Sequence, residues 1–204
     1  MSLFIVFEGI IGAGKKTHIK LLAERLKGIG REVTIISFPD YDGEIARLTR
    51  RIEFDPITQS LLFAADRTRS QERIKSFLEK GTIVLCNRYC YSNFVHQKVK
   101  GVPLEWLICI EKLNIKPHIG FLIDVPIEIS IQRIQQLTIE DFTKGEILER
   151  LQREKETMEE IRMAYLDIVR KDKEVKWFVI DGSKDITENH EKIWKIVSGE
   201  LTKT

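Results

Sequence analysis

The chain has 204 residues, 43% of them hydrophobic and 31% charged, with a formal net charge of +2. That length suits one domain with a sizeable core, and so small a net charge is no footprint for nucleic acid. No apolar run reaches the roughly 20 residues that cross a bilayer, and Leu3 to Phe7, interrupted by Glu8, is too short for a signal peptide. The expectation is a cytoplasmic protein with no membrane partner. Its three cysteines, Cys86, Cys90 and Cys109, have no metal-ligand or redox spacing and are expected to be buried, reduced thiols.

In chain order, Leu3 to Phe7 predicts a first strand, and Thr17 to Leu26 a helix. Val33 to Phe38 predicts a second strand, closed by Pro39, and Gly43 to Ile52 a short helix. Pro56 opens an amphipathic helix expected to run unbroken from Ile57 to Glu79, with an apolar face of Ile57, Leu61, Leu62, Ala65, Ile74, Phe77 and Leu78. Gly81 stops it. Strands are expected over Thr82 to Cys86, Ile119 to Val125 and Val175 to Ile180. Helices are expected over Tyr91 to Val99, Leu104 to Leu113, Ile127 to Gln136, Glu146 to Lys171 and Ile186 to Leu201, with polar, irregular chain from Leu137 to Gly145. Continuous Val, Ile, Leu and Phe runs alternating with helices predict a parallel sheet of about five strands, buried on both faces by helices. No repeat or linker interrupts the pattern, so residues 1–204 read as one three-layer α/β domain. Ligands in such folds bind at the carboxyl ends of the strands.

The stretch Gly9-Ile10-Ile11-Gly12-Ala13-Gly14-Lys15-Lys16-Thr17 fits a phosphate-binding loop between strand and helix, whose N–H groups face an anion. Its last motif position, normally a Ser or Thr on Mg²⁺, is Lys16. Phe63 and Arg67, four apart, share a helix face. They could hold a planar base; equally, Phe63 could be core and Arg67 a surface ion-pair partner. Arg88, after the third strand, offers a fork of donors to a phosphate, or is a structural loop arginine.

These pieces, with FPDYDGEI, LLFAADR, NRYCYS, KPHIGFLIDVPIEISIQRI, MAYLDI and VIDGSKDI, give the chain a resemblance to the thymidylate kinase family nearly end to end. The resemblance implies a P-loop NTPase fold, usually a homodimer, that uses ATP and Mg²⁺ to convert dTMP to dTDP. It implies that Gly9 to Thr17, Arg133, Ser183 and Lys184 bind ATP, with Lys15 and Arg88 catalytic; Lys16, a departure from the pattern, is expected to be catalytic by supplying some of the charge that Mg²⁺ would supply. Glu8, Pro39, Phe63, Arg67, Arg88, Ser92, His96 and Gln97 would form the dTMP site, and residues 137–145 a lid. Several positions depart from the family pattern. Lys16 replaces the metal-holding hydroxyl, Ile11 a carboxylate, Asn87 an aspartate, Tyr41 an arginine of some members, and His96 a Tyr or Phe. Neither Gly12 nor Leu137 to Lys144 supplies the usual catalytic arginine, and Lys144 is the lid's cation. A weakened paralogue that only binds nucleotides, or a kinase for another nucleoside monophosphate, therefore stands as an alternative.

Overall fold

The computed structural model describes residues 2–136, 149 and 155–202. Its sheet is all parallel, in the order β2-β3-β1-β4-β5, from β1 (Phe4–Glu8), β2 (Val33–Ser37), β3 (Ile83–Asn87), β4 (Ile119–Asp124) and β5 (Lys176–Asp181). The described helices are α1 (Lys15–Gly28), α2 (Glu44–Arg51), α3 (Pro56–Thr68), α4 (Gln71–Glu79), α5 (Cys90–Val99), α6 (Leu104–Ile110), α7 (Ile127–Gln136), α8 (Lys155–Lys171) and α9 (Ile186–Leu201). The helix expected to start at Glu146 is described from Lys155, and the expected lid, 137–145, lies outside the described residues.

The alternation of apolar runs and helices produces the expected layers. Helix α1 packs on β2, β3 and α9, while α5 packs on α8, which in turn touches β4. The three inner strands are buried, and Phe7 stacks on Phe121 at 5.1 Å between ring centroids. Strands β2 and β5 depart from the expectation of burial on both faces. They are the sheet edges, and Ile35 and Val179 are half-exposed. Cys86 and Cys90 are buried, but Cys109 is exposed on the short helix α6.

Two further expectations are corrected. The helix from Ile57 to Glu79 is two helices, broken at Arg69–Ser70. There, Ser70 Oγ donates to Asp66 O at 3.2 Å and Gln71 Nε2 to Arg67 O at 2.8 Å, so side chains take carbonyls that a continuing helix would use. The buried face of α3 is also not its apolar one. Ser60, Ala64, Asp66 and Arg67 are buried, whereas Ile57, Leu61 and Ala65 are exposed. Periodicity assumes that what is buried is apolar; here the inner face of the helix forms a polar site.

Beneath the phosphate loop, His18 is buried in α1 and its Nδ1 has no hydrogen-bond partner. Burial, then His190 and Arg133, lower its pKa to about 4 from an ordinary 6.5. With the folded value depressed, the unfolded chain binds the extra proton between those limits. The stabilisation is therefore present above about pH 6.5 and is lost as pH falls toward about 4, by at most about 3 kcal/mol. Urea melts across that range should show falling stability, and His18→Gln should flatten the slope.

Candidate active site

The phosphate loop follows β1 directly. Gly9 has φ +136, and a Cβ there would stand 2.4 Å from Ile123 O, so only glycine lets the loop pass β4. Gly14, at φ +97, caps α1 in the left-handed region. No acidic side chain occupies the helix's first turn, which leaves its N–H groups to an anion. Lys15 is buried and folds back, its Nζ donating to Gly9 O at 2.8 Å and Ile10 O at 2.7 Å. Burial, with Arg88 and Lys16 nearby, pushes its ammonium well below the ordinary lysine range, against the pull of Glu8. A phosphate would offer this lysine a better partner than two carbonyls.

Glu8 ends β1 with its carboxylate fully buried. Oε1 accepts from Tyr89 N at 2.7 Å, and Oε2 from Ser92 Oγ at 2.7 Å and Tyr165 OH at 3.2 Å. Burial raises its pKa, while Arg88 and the bonds from Ser92 and Tyr89 resist the rise. Arg88 leaves β3 in the left-handed region, at φ 67, a conformation that typically costs about 1–3 kcal/mol and clusters at functional sites. Its N–H donates to Phe7 O at 3.0 Å, and its Nη1 to Ser92 Oγ at 3.0 Å and Tyr165 OH at 3.3 Å. The guanidinium is therefore held between the strand ends of β1 and β3 and helices α5 and α8.

A cavity of about 420 Å³ opens beside the loop, within the range of small-molecule sites. It is lined by Pro39, Phe63, Arg67, Arg88, Ser92, His96 and Gln97, with Ile11 and Tyr41 among its other walls. Every expected acceptor-site residue is there except Glu8, which lies beneath and holds Ser92 and Tyr89. Phe63 is half-buried on the wall, and Arg67 is buried at 3% exposure, which removes the surface ion-pair reading. Its Nε donates to both oxygens of Glu111 at 3.0 Å, and Nη2 adds a further bond. Asn114 and Asn93 also donate to Glu111. Gln97 gives its Nε2 hydrogen to Gln59 Oε1 at 2.9 Å, and its Oε1 is buried without a partner.

On the loop's other side, Arg133 donates to Ala13 O at 3.3 Å and Gly182 O at 2.6 Å, tying α7 to the loop and to the turn after β5. In that turn, Ser183 binds Asp181, and Lys184 lies 3.8 Å from Glu188. The residues expected to bind ATP thus gather on one flank and those expected to bind dTMP on the other. Metal donors do not gather. Lys16 and Thr17 are exposed in the first turn of α1, Ile11 is hydrocarbon, and Asn87 is neutral with a buried, unpartnered Oδ1. Among the described residues no group of three or more His, Cys, Asp or Glu could hold an ion. The motif's metal-ligand position therefore carries an ammonium-bearing side chain in place of a hydroxyl, and Ile11 and Asn87 add no carboxylate beside it.

The family model for thymidylate kinase matches residues 7–193. The chain belongs to the thymidylate kinase family. It is 36% identical over 212 aligned residues to a protein of Pyrococcus abyssi named "probable thymidylate kinase", with 97% of each chain covered. It is 33% identical to the "thymidylate kinase" of Symbiobacterium thermophilum, over 98% of this chain and 95% of that one. A Methanocaldococcus jannaschii relative of the first description is 37% identical over 83% of this chain and 89% of its own.

Within this thymidylate kinase scaffold, three residues escaped sequence reasoning. Glu111 carries no motif and lies 44 positions from Arg67. Tyr165 was visible only as part of MAYLDI, with no role. Gln59, on α3, shows its purpose only once Gln97 faces it. Replacing Glu111 tests the first of these. Glu111→Ala strands the buried Arg67 guanidinium and should destabilise the fold by about 3–5 kcal/mol in urea melts. The double variant Arg67→Met with Glu111→Leu should recover most of that loss.

Proposed function

We propose that the protein is an ATP-dependent thymidylate kinase that converts dTMP and ATP into dTDP and ADP, with residues 1–204 acting as one catalytic unit. The observation that carries this reading is the placement of Arg88, at the boundary between a phosphate loop and a cavity lined by Phe63, Arg67 and Gln97. An oxygen of the dTMP phosphate attacks the γ-phosphorus of ATP. The bond from that phosphorus to the β-phosphate bridging oxygen breaks, and ADP leaves with the electron pair. Such transfer depends on positioning and charge neutralisation.

In this reading, the backbone from Gly9 to Thr17 cradles the ATP phosphates, and the Lys15 side chain exchanges its loop carbonyls for them. Arg133 and the turn at Ser183 and Lys184 flank the adenine. Phe63 stacks on thymine, and Arg67 offers Nη1, which Glu111 does not engage, to the base edge. The unpartnered Gln97 Oε1 suits the N3–H of thymine, because a buried acceptor gains most from a donor. His96 and Pro39 bound the sugar side. Glu8 holds Ser92 and Arg88 in place, and Arg88 binds the acceptor phosphate. No step here runs through a metal.

Purified protein given ATP and dTMP should form ADP and dTDP with saturation in both, and dTMP should outcompete the other monophosphates. Arg88→Met should lower kcat/KM at least a hundredfold, about 2.7 kcal/mol. Binding of both nucleotides without ADP formation would favour a weakened, nucleotide-binding relative. A different preferred monophosphate would move the acceptor assignment.

No described helix is long and apolar enough to cross a membrane. The reading includes a cytoplasmic homodimer. Leu48, Ile52, Ile57 and Leu61 are exposed on and beside two helices that pack together, α2 and α3. An apolar patch of this kind marks an interaction surface, and a second copy is the occupant that the family resemblance implies. Sedimentation should show a dimer, and Leu61→Glu should shift it to monomer.

A further inference from the structure

Lys16 stands in the first turn of α1, on the donor side, but its side chain leaves that side. Its Nζ lies 5.9 Å from the centroid of the Tyr41 ring, over its face. Tyr41 belongs to the loop after β2 and lines the acceptor cavity with Pro39 and Arg88. That loop is fastened. Asp40 N donates to Asp66 Oδ2 at 2.7 Å, Arg50 Nη2 to Tyr41 O at 2.9 Å, and Gly43 N to Asp40 O at 2.8 Å. Tyr41 is 46% exposed, so it meets solvent as well as the cavity. Arg88 shares the cavity lining with Tyr41, and the charges of Arg88 and Lys16 both act to depress the pKa of Lys15. Three cations thus surround the junction of loop and cavity, and Lys16 reaches it from the donor helix.

We propose that Lys16 serves the acceptor phosphate, and that Tyr41 is the positioning residue that holds its ammonium at the cavity mouth. This rests on the reading of the cavity as a nucleoside monophosphate site. A partly exposed cation–π contact is weak. It biases the flexible lysine toward the mouth, and an arriving phosphate dianion replaces the ring as the stronger partner. A lysine at position 16 and a tyrosine at position 41 then form one device. The residue that displaces a metal-holding hydroxyl supplies charge where position 41 offers none of its own. Lys16 acts on substrate directly; Tyr41 acts through Lys16.

Calorimetry without ATP and with a chelator present, comparing dTMP with thymidine, isolates the phosphate. Lys16 is exposed, so its substitution does not threaten the fold. Lys16→Gln should weaken dTMP about tenfold and leave thymidine unchanged. Tyr41→Phe, which keeps the ring, should match the parent protein. Tyr41→Leu should weaken dTMP roughly two- to fivefold and again spare thymidine. Unchanged dTMP affinity in Lys16→Gln, with ATP weakened instead, would overturn the assignment. So would equal losses for dTMP and thymidine. Parent protein that binds neither ligand contradicts the thymidylate reading itself, and this assignment with it, and that result is distinct from the other two.

Discussion

The buried carboxylate of Glu8 is the constraint on which the site depends. It closes the central strand and accepts hydrogen bonds from the residue after Arg88, from Ser92 on α5 and from Tyr165 on α8. A buried carboxylate is tolerated only when its lone pairs are met. The backbone beyond β3, the start of α5 and the middle of α8 must therefore converge on one point. Arg88 shares that convergence through Ser92 and Tyr165. The left-handed turn at Arg88 persists because its surroundings determine it on every side. Arg88 gives the cavity a charged wall, and the Glu8 carboxylate beneath it, one residue before the phosphate loop begins, fixes Ser92 beside it.

A second buried network sets the far wall. Glu111 holds Arg67 by Nε and Nη2, and Asn93 and Asn114 complete the carboxylate's partners. The cost of burying a guanidinium is offset by a fixed geometry, so the arginine presents a defined edge to the cavity rather than sweeping through it. This explains why α3 buries polar residues and leaves Ile57 and Leu61 outside. The helix has two demanding faces, a polar one toward the site and an apolar one that the protein's own described residues do not cover.

Much of this was legible in the sequence, for physical reasons. Parallel strands between helices must be long apolar runs, so β1, β3 and β4 stood out. The phosphate loop needs glycines where side chains would collide, and Gly9 against Ile123 O is such a place. Phe63, Arg67, Arg88, Ser92, His96 and Gln97 converge as the family motifs imply. What escaped were partners fixed only in three dimensions. Glu111 is an unremarkable acid until Arg67 is buried against it, and Tyr165 is one of several tyrosines until Glu8 accepts its hydroxyl. The break between α3 and α4 depends on Ser70 and Gln71 capturing carbonyls, which periodicity does not see. Lys16 read as a defect in a metal site, and its place over the Tyr41 ring, at the cavity wall, is visible only in three dimensions.

The proposed phosphoryl transfer requires the phosphate loop and the cavity to form one continuous site, with Lys15, Lys16 and Arg88 at their junction. A bisubstrate ligand, adenosine joined to thymidine through a five-phosphate chain, spans both halves. Linking two ligands that bind adjacent sites raises affinity by about 10²–10⁴ over either one. Calorimetry should show such a gain over ATP and over dTMP, and Arg88→Met should abolish most of it. A bisubstrate that binds no tighter than ATP alone would contradict the account.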